Sequence, residues 1–146
     1  MKNKIVFMML TMLAGPGMAT AAGYDLASSE YNLAFNELNQ AANIDQRGLN
    51  NNAQINQSGS KLLGVISQHG GRNSAQINQS GNENVAYIAQ AGNANDASIT
   101  QGAYGNTAVI LQKGAGNRAA ITQFGTQKTA VVVQRQSQMA IRVIQR

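Results

Sequence analysis

The chain has 146 residues, room for one domain, and its 15 Gly, one Pro, no Cys, no Trp and 12% charged residues depart from an ordinary globular composition. Without cysteine there is no disulfide or thiolate chemistry, and a lone His69 cannot build the clusters that metal sites and acid–base catalysis need, so no enzyme, cofactor or small-molecule substrate is expected. The formal charge is +5 but unevenly placed: the last acid is Asp96, and Lys113, Arg118, Lys128, Arg135, Arg142 and Arg146 follow it.

From the start of the chain, Lys2 and Lys4 precede an apolar run from Ile5 to Ala14, then Gly15-Pro16-Gly17 and the small residues Ala19 and Ala21. That layout predicts a cleaved signal peptide over 1–21 and a secreted protein, the run being too short to span a bilayer comfortably. Residues 22–39 are polar and ambiguous, with YNLAFNELNQAA readable as a short helix or as extended chain, and are expected to serve as an export or linker segment.

Beyond residue 40 one spacing dominates. Glutamine recurs every eleven residues at Gln46, Gln57, Gln68, Gln79, Gln90, Gln101, Gln112, Gln123, Gln134 and Gln145. Two residues before each stands Ile44, Ile55, Ile66, Ile77, Ile88, Ile99, Ile110, Ile121, Val132 or Val143. Four before is nearly always Ala, with Gly64 and Ile141 as departures, and Asn recurs six before at Asn51, Asn73, Asn84, Asn95, Asn106 and Asn117. Gly follows two after in most units.

All these offsets share one parity, which on a strand is one face, whereas a helix would need apolar residues three and four apart and would not carry a Gly in every unit. The other parity varies freely, as a solvent face does. Eleven residues make one strand and one turn, so twenty-two make a rung, and AQINQSG recurs at that longer step, at 53–59 and 75–81. The fold expected is all-β: a β-solenoid whose equivalent strands stack in parallel. The inward glutamines favour it over a meander, because a buried amide left unpaired costs about 1–3 kcal/mol. Identical amides stacked in register satisfy one another. Such a stack leaves sheet edges that are templates for further strands, so the chain is expected to self-associate or to nucleate polymerisation.

The pattern N-x-A-x-I-x-Q-x-G over residues 40–146 resembles the curlin repeats of bacterial functional amyloid, and GYDLASSEYN, SKLLGVISQ, NVAYIAQAGNANDASITQGAYGNTA and QRQSQMAIR extend the likeness. Carried over position by position, the repeats are 40–61, 62–83, 84–105, 106–127 and 128–146. The resemblance implies secretion through a dedicated outer-membrane pore, a surface accessory factor, a place in cell-surface fibres, and templating of a soluble major curlin subunit, with the last repeats most important for nucleation and attachment. Gln40 and Leu62 replace Asn in the first two repeats. In the fifth, Gln136 replaces Gly, Met139 replaces Asn and Ile141 replaces Ala. That repeat is therefore expected to lose its turn and its packing, to be poorly ordered in the free chain, and to be fixed on a partner through Lys128, Arg135, Arg142 and Arg146.

Three sharper motifs carry nothing. Gly114-Ala115-Gly116-Asn117-Arg118-Ala119 matches a dinucleotide fingerprint, but a strand pattern follows it where a helix should open. The Asn56-Gln57-Ser58 and Asn78-Gln79-Ser80 sequons contain core glutamines. Aromatic residues are too sparse among the basic ones for nucleic-acid binding. The rival fibre role is a bulk subunit, and the rival from another class is a self-contained ligand-binding solenoid, which would need outward residues as regular as the inward ones.

Overall fold

Small and branched apolar residues at alternate positions, broken at intervals of eleven by Gly and polar turn residues, form ten strands. The computed structural model describes residues 40–146; the leader and the 22–39 segment expected from sequence lie outside the described residues. In chain order the strands are β1 (Gln40–Leu49), β2 (Asn52–Ser60), β3 (Leu62–Gly71), β4 (Ser74–Asn82), β5 (Val85–Asn93), β6 (Asp96–Gln101), β7 (Thr107–Ala115), β8 (Arg118–Gln123), β9 (Thr129–Gln134) and β10 (Ala140–Gln145). No helix occurs among the described residues.

Odd-numbered strands form one five-stranded sheet in the order β1-β3-β5-β7-β9, and even-numbered strands form the other, β10-β8-β6-β4-β2. Every pairing is parallel and offset by 22 residues, as in Ile66↔Ile88 and Gln68↔Gln90 on the first sheet and Ile99↔Ile121 on the second. A parallel neighbour is reached only after the chain has crossed to the facing sheet and returned, which makes each rung one turn of a β-solenoid.

Between the sheets lie Ile66, Ile88, Ile110 and Val132 facing Ile77, Ile99 and Ile121, with Ala75, Ala86, Ala97, Ala108, Ala119 and Ala130 beside them, all buried. A buried isoleucine is worth about 1.5–3 kcal/mol, and repetition along the stack replaces the large aromatic core this chain lacks. The Gly64 departure has a packing cause: a Cβ placed there would come within 2.9 Å of Ile55 Cγ2 and 3.2 Å of Gln57 Nε2. At the ends of the stack Ile44, Ile55, Ile141 and Val143 are only partly covered.

Two columns of arcs join the sheets. Gly48, Gly70, Gly92 and Gly114 adopt φ of 114° to 121°, and two residues later Asn50, Arg72, Ala94 and Gly116 adopt φ of 55° to 67°. The glycine column is enforced twice, by that backbone and by space. A Cβ placed on Gly70 would lie 2.1 Å from the carbonyl oxygen of Gly92.

The fifth rung corrects the sequence expectation that its packing is lost, while its turn does depart from the earlier ones. Strand β9 pairs with β7 in register through Gln112↔Gln134, and β10 pairs with β8 through Gln123↔Gln145. Val132 and Gln134 are buried. Gln138 takes φ 61°, matching its equivalents in the earlier arcs, while the column of positive-φ glycines stops at Gly114. Changes are thus confined to the arc around Gln136, where the strand ends earlier than its neighbours.

Candidate functional site: amide ladders and the two edges of the stack

Register brings the expected glutamines together in two columns. Gln46 Nε2 donates to Gln68 Oε1 at 2.7 Å, and Gln68 to Gln90, Gln90 to Gln112 and Gln112 to Gln134 follow at 2.8, 2.9 and 2.8 Å. Across the core Gln57, Gln79, Gln101, Gln123 and Gln145 form the second ladder with links of 2.8 to 2.9 Å. From Gln57 onward each amide also donates across the core to the facing sheet, for example Gln68 to Asn52 O at 3.0 Å and Gln90 to Ser74 O at 2.8 Å. One glutamine therefore joins its rung to the next and its sheet to the opposite one. No buried side-chain polar atom among the described residues lacks a partner, as a stack of inward amides requires.

The asparagines form the expected side-chain ladder in part, Asn73 Nδ2 donating to Asn51 Oδ1 at 3.2 Å and Asn95 Nδ2 to Asn73 Oδ1 at 3.0 Å, and they also bond the backbone of the neighbouring rung. Asn51 Nδ2 donates to Gly70 O at 3.0 Å, Asn73 Nδ2 to Gly92 O at 2.9 Å and Asn95 Nδ2 to Gly114 O at 3.0 Å. Their Oδ1 atoms accept the backbone N–H of Asn73, Asn95 and Asn117 in the next rung. In the other column of arcs Asn84 Nδ2 donates to Ala103 O, and Asn84 Oδ1 accepts from Asn106 N. Each asparagine thus clamps the backbone of the following arc. Asn117 Oδ1 and Asn106 Oδ1 hold Met139 N at 3.1 Å and Lys128 N at 3.0 Å, so the clamp reaches rung five although rung five carries no asparagine to pass it on.

Every glutamine–glutamine link has the same polarity, Nε2 donating to Oε1 of the later rung, and the asparagine Nδ2 bonds to the carbonyls of the next arc run the same way. At the β1/β2 edge Gln46 and Gln57 carry Oε1 atoms that accept from no described residue, and at the β9/β10 edge Gln134 and Gln145 reach the end of their donor ladders. The stack has two chemically unlike ends.

The basic residues expected to form one contact set are divided. Lys128 and Arg146 flank Gly125 in one column of arcs. Arg135 follows β9 toward the opposite arc, and Arg142 points outward on β10. Arg135, Arg142 and Arg146 are exposed, whereas Lys128 is partly covered.

Two features escape sequence reasoning. Outward Tyr87, Leu111, Val131 and Val133 gather as an exposed apolar area on the odd-numbered sheet, legible only once the strands are aligned by twenty-two. In the arcs Lys61 Nζ meets Glu83 Oε1 at 3.0 Å. The Tyr104 hydroxyl first, and then the Lys61 ammonium, hold the Glu83 carboxyl below its usual range; the Tyr104 hydroxyl is pushed up in return.

A family model of the curlin associated repeat matches residues 70–102 and 92–125, the stretch holding the most regular ladders. Residues 70–125 thus carry the curlin associated repeat. This curlin-repeat chain is 69% identical over 68 residues to the minor curlin subunit of Escherichia coli strain K12, covering 43% of this chain and 45% of that protein. It is 67% identical, over the same length and shares, to the minor curlin subunits of Salmonella typhimurium and Salmonella enteritidis. The match thus spans a little under half the length of these relatives.

Proposed function

We propose that this curlin-repeat chain is a minor, non-enzymatic subunit of extracellular curli-type fibres on the cell surface, and that it nucleates them by offering a pre-formed rung to a soluble major curlin subunit. The observation that carries this reading is the unbroken pair of glutamine ladders ending at sheet edges that no described strand covers. An incoming chain meeting such an edge finds backbone partners and amide partners already at the right spacing, about 4.8 Å per strand, so the entropy of forming the first rung is met before it arrives. Export through an outer-membrane pore and retention by a surface accessory factor complete the reading, with Lys128, Arg135, Arg142 and Arg146 as the partner contacts.

The test is substoichiometric seeding. At about one part in a hundred the chain is expected to abolish most of the lag of a separate curlin-repeat chain, while a bulk subunit would only co-assemble in proportion to its amount. A chain ending at Gln127 should separate the roles of the tail: lost surface retention with seeding preserved assigns the basic residues to attachment. Equal behaviour of the two chains in both assays would leave those residues as solubilising charges.

A further inference from the structure

The two ends of the solenoid differ in a way that fixes what each can stack on. Continuing the twenty-two-residue step into a second copy sets its rung five against rung one of the first. Gln134 and Gln145 then fall over Gln46 and Gln57, and the glutamine ladders join, free donors meeting free acceptors. The arc does not join. Met139 falls on Asn51, so the Asn51 N–H and the Gly48 carbonyl lose the clamp that Asn73 N and Gly70 O receive inside the stack. Gln136 falls on Gly48, in a column where a Cβ on Gly48, Gly70 or Gly92 would approach the next rung's carbonyl oxygen to between 1.9 and 2.1 Å.

Charge adds a smaller effect. Inside the stack the same step pairs opposite charges: Asp96 with Arg118 at 3.4 Å and Lys61 with Glu83 at 3.0 Å. At the junction of two copies Arg135 falls one rung, about 4.8 Å, from Arg47, a like-charge step that the same column already makes once inside the stack, from Lys113 to Arg135, and that Asp45, 3.5 Å from Arg47, partly offsets.

We propose that the β1/β2 edge is the templating edge, and that its occupant is a curlin-repeat chain whose last rung keeps Gly and Asn where this chain has Gln136 and Met139, rather than a second copy of this chain. Rung five receives the clamp from rung four and offers none, so it closes the stack in one direction. The inference deepens the reading of the chain as a template and rests on it: a protein with one competent edge, mismatched to its own far end, starts a fibre of another subunit more readily than it extends itself.

The test repairs the mismatch in the full chain. The double variant Gln136→Gly, Met139→Asn restores the column residues of the middle rungs and so carries little risk to folding. It is expected to elongate on its own seeds about tenfold faster than the parent on parent seeds, two clamp hydrogen bonds being returned to each junction. Adding Arg135→Asp should raise the rate again at low ionic strength, with the extra gain fading in high salt. Seeding of a second curlin-repeat chain by the double variant is expected to stay at the parent's rate, because that reaction uses the other edge. Equal or slower self-elongation of the double variant overturns the proposal, as does a change in its seeding of the second chain. A parent that seeds no second chain, with the self-elongation gain intact, would instead overturn the template reading and leave the junction rule standing.

Discussion

Rung one and rung five of this solenoid are both ends, yet they are opposite in kind. Rung one gives: Gln46, Gln57 and Asn51 all donate into rung two, and Asn51 Oδ1 accepts its backbone. Rung five receives: Gln112, Gln123, Asn106 and Asn117 reach into it from rung four. Packing follows the same division. Gln134 is buried in rung five, whereas its equivalent Gln46 in rung one is exposed. Losing Gly and Asn from a terminal rung therefore does not unmake that rung, since its order comes from the neighbour before it. The loss falls on whatever would come next.

Substitutions that pair an interior position with its terminal counterpart put this difference under strain. The largest effect is expected in the glycine column. At Gly70 a Cβ would sit 2.1 Å from Gly92 O on a backbone with φ 114°, so Gly70→Ala should cost about 4 kcal/mol by combining backbone strain and overpacking. At Gly114 the nearest atom is Gln136 O at 3.0 Å, and Gly114→Ala should cost about half as much, being left with the backbone term. Denaturant midpoints of the two variants check the ratio. Equal losses would mean that the arc of rung five packs like the others.

Core truncation comes next. Ile88 is fully buried and Val143 only partly, so Ile88→Ala should lower stability by about 3–4 kcal/mol and Val143→Ala by about 1 kcal/mol in equilibrium unfolding of the monomer. Removing a rung of the amide ladder is expected to cost less than the isoleucine. Gln90→Ala deprives Gln68 of its acceptor, Gln112 of its donor and Ser74 O of its partner, a loss of about 2–3 kcal/mol. Gln134→Ala orphans fewer groups, Gln112 Nε2 and Arg118 O, and should be milder when the two are unfolded side by side.

The smallest effect is electrostatic and confined to the exposed arcs. Glu83 titrates below its usual 4.5 because of Tyr104 and then Lys61. Its folded-state value being depressed, the favourable interaction is present above the ordinary carboxylate range and disappears as the pH falls through the lowered value. Tyr104→Phe should move the Glu83 midpoint back up toward 4.5, read by side-chain carboxyl NMR, with little change in unfolding at neutral pH. An unmoved midpoint would assign the shift to Lys61 alone.

How much of this was legible beforehand depends on whether a residue's partner lies at a fixed repeat. The glutamine and isoleucine columns were, because period two sets the face and the step of twenty-two sets the neighbour, and the same residue type recurs at both ends of each contact. The asparagine ladder was legible only in part: Asn51, Asn73 and Asn95 do join side chain to side chain, but most asparagine partners are backbone atoms of the neighbouring arc, which carry no sequence signature. Rung five was expected to be loose because Gln136, Met139 and Ile141 erase its own signals, yet Met139 N and Lys128 N are held by Asn117 and Asn106 of the rung before. The apolar area of Tyr87, Leu111, Val131 and Val133 was hidden because no single column repeats one residue type; it forms only when neighbouring columns are laid side by side.

Hydrogen exchange on the freshly prepared monomer, resolved by rung, bears most directly on the claim that the last rung is ordered by its neighbour and ends the stack. The account predicts protection continuing from rungs three and four through Thr129–Gln134 and Met139, and falling away toward Gln40–Leu49 at the opposite end. Free-chain exchange over Thr129–Gln134 and Met139 while rungs three and four remain protected would contradict it.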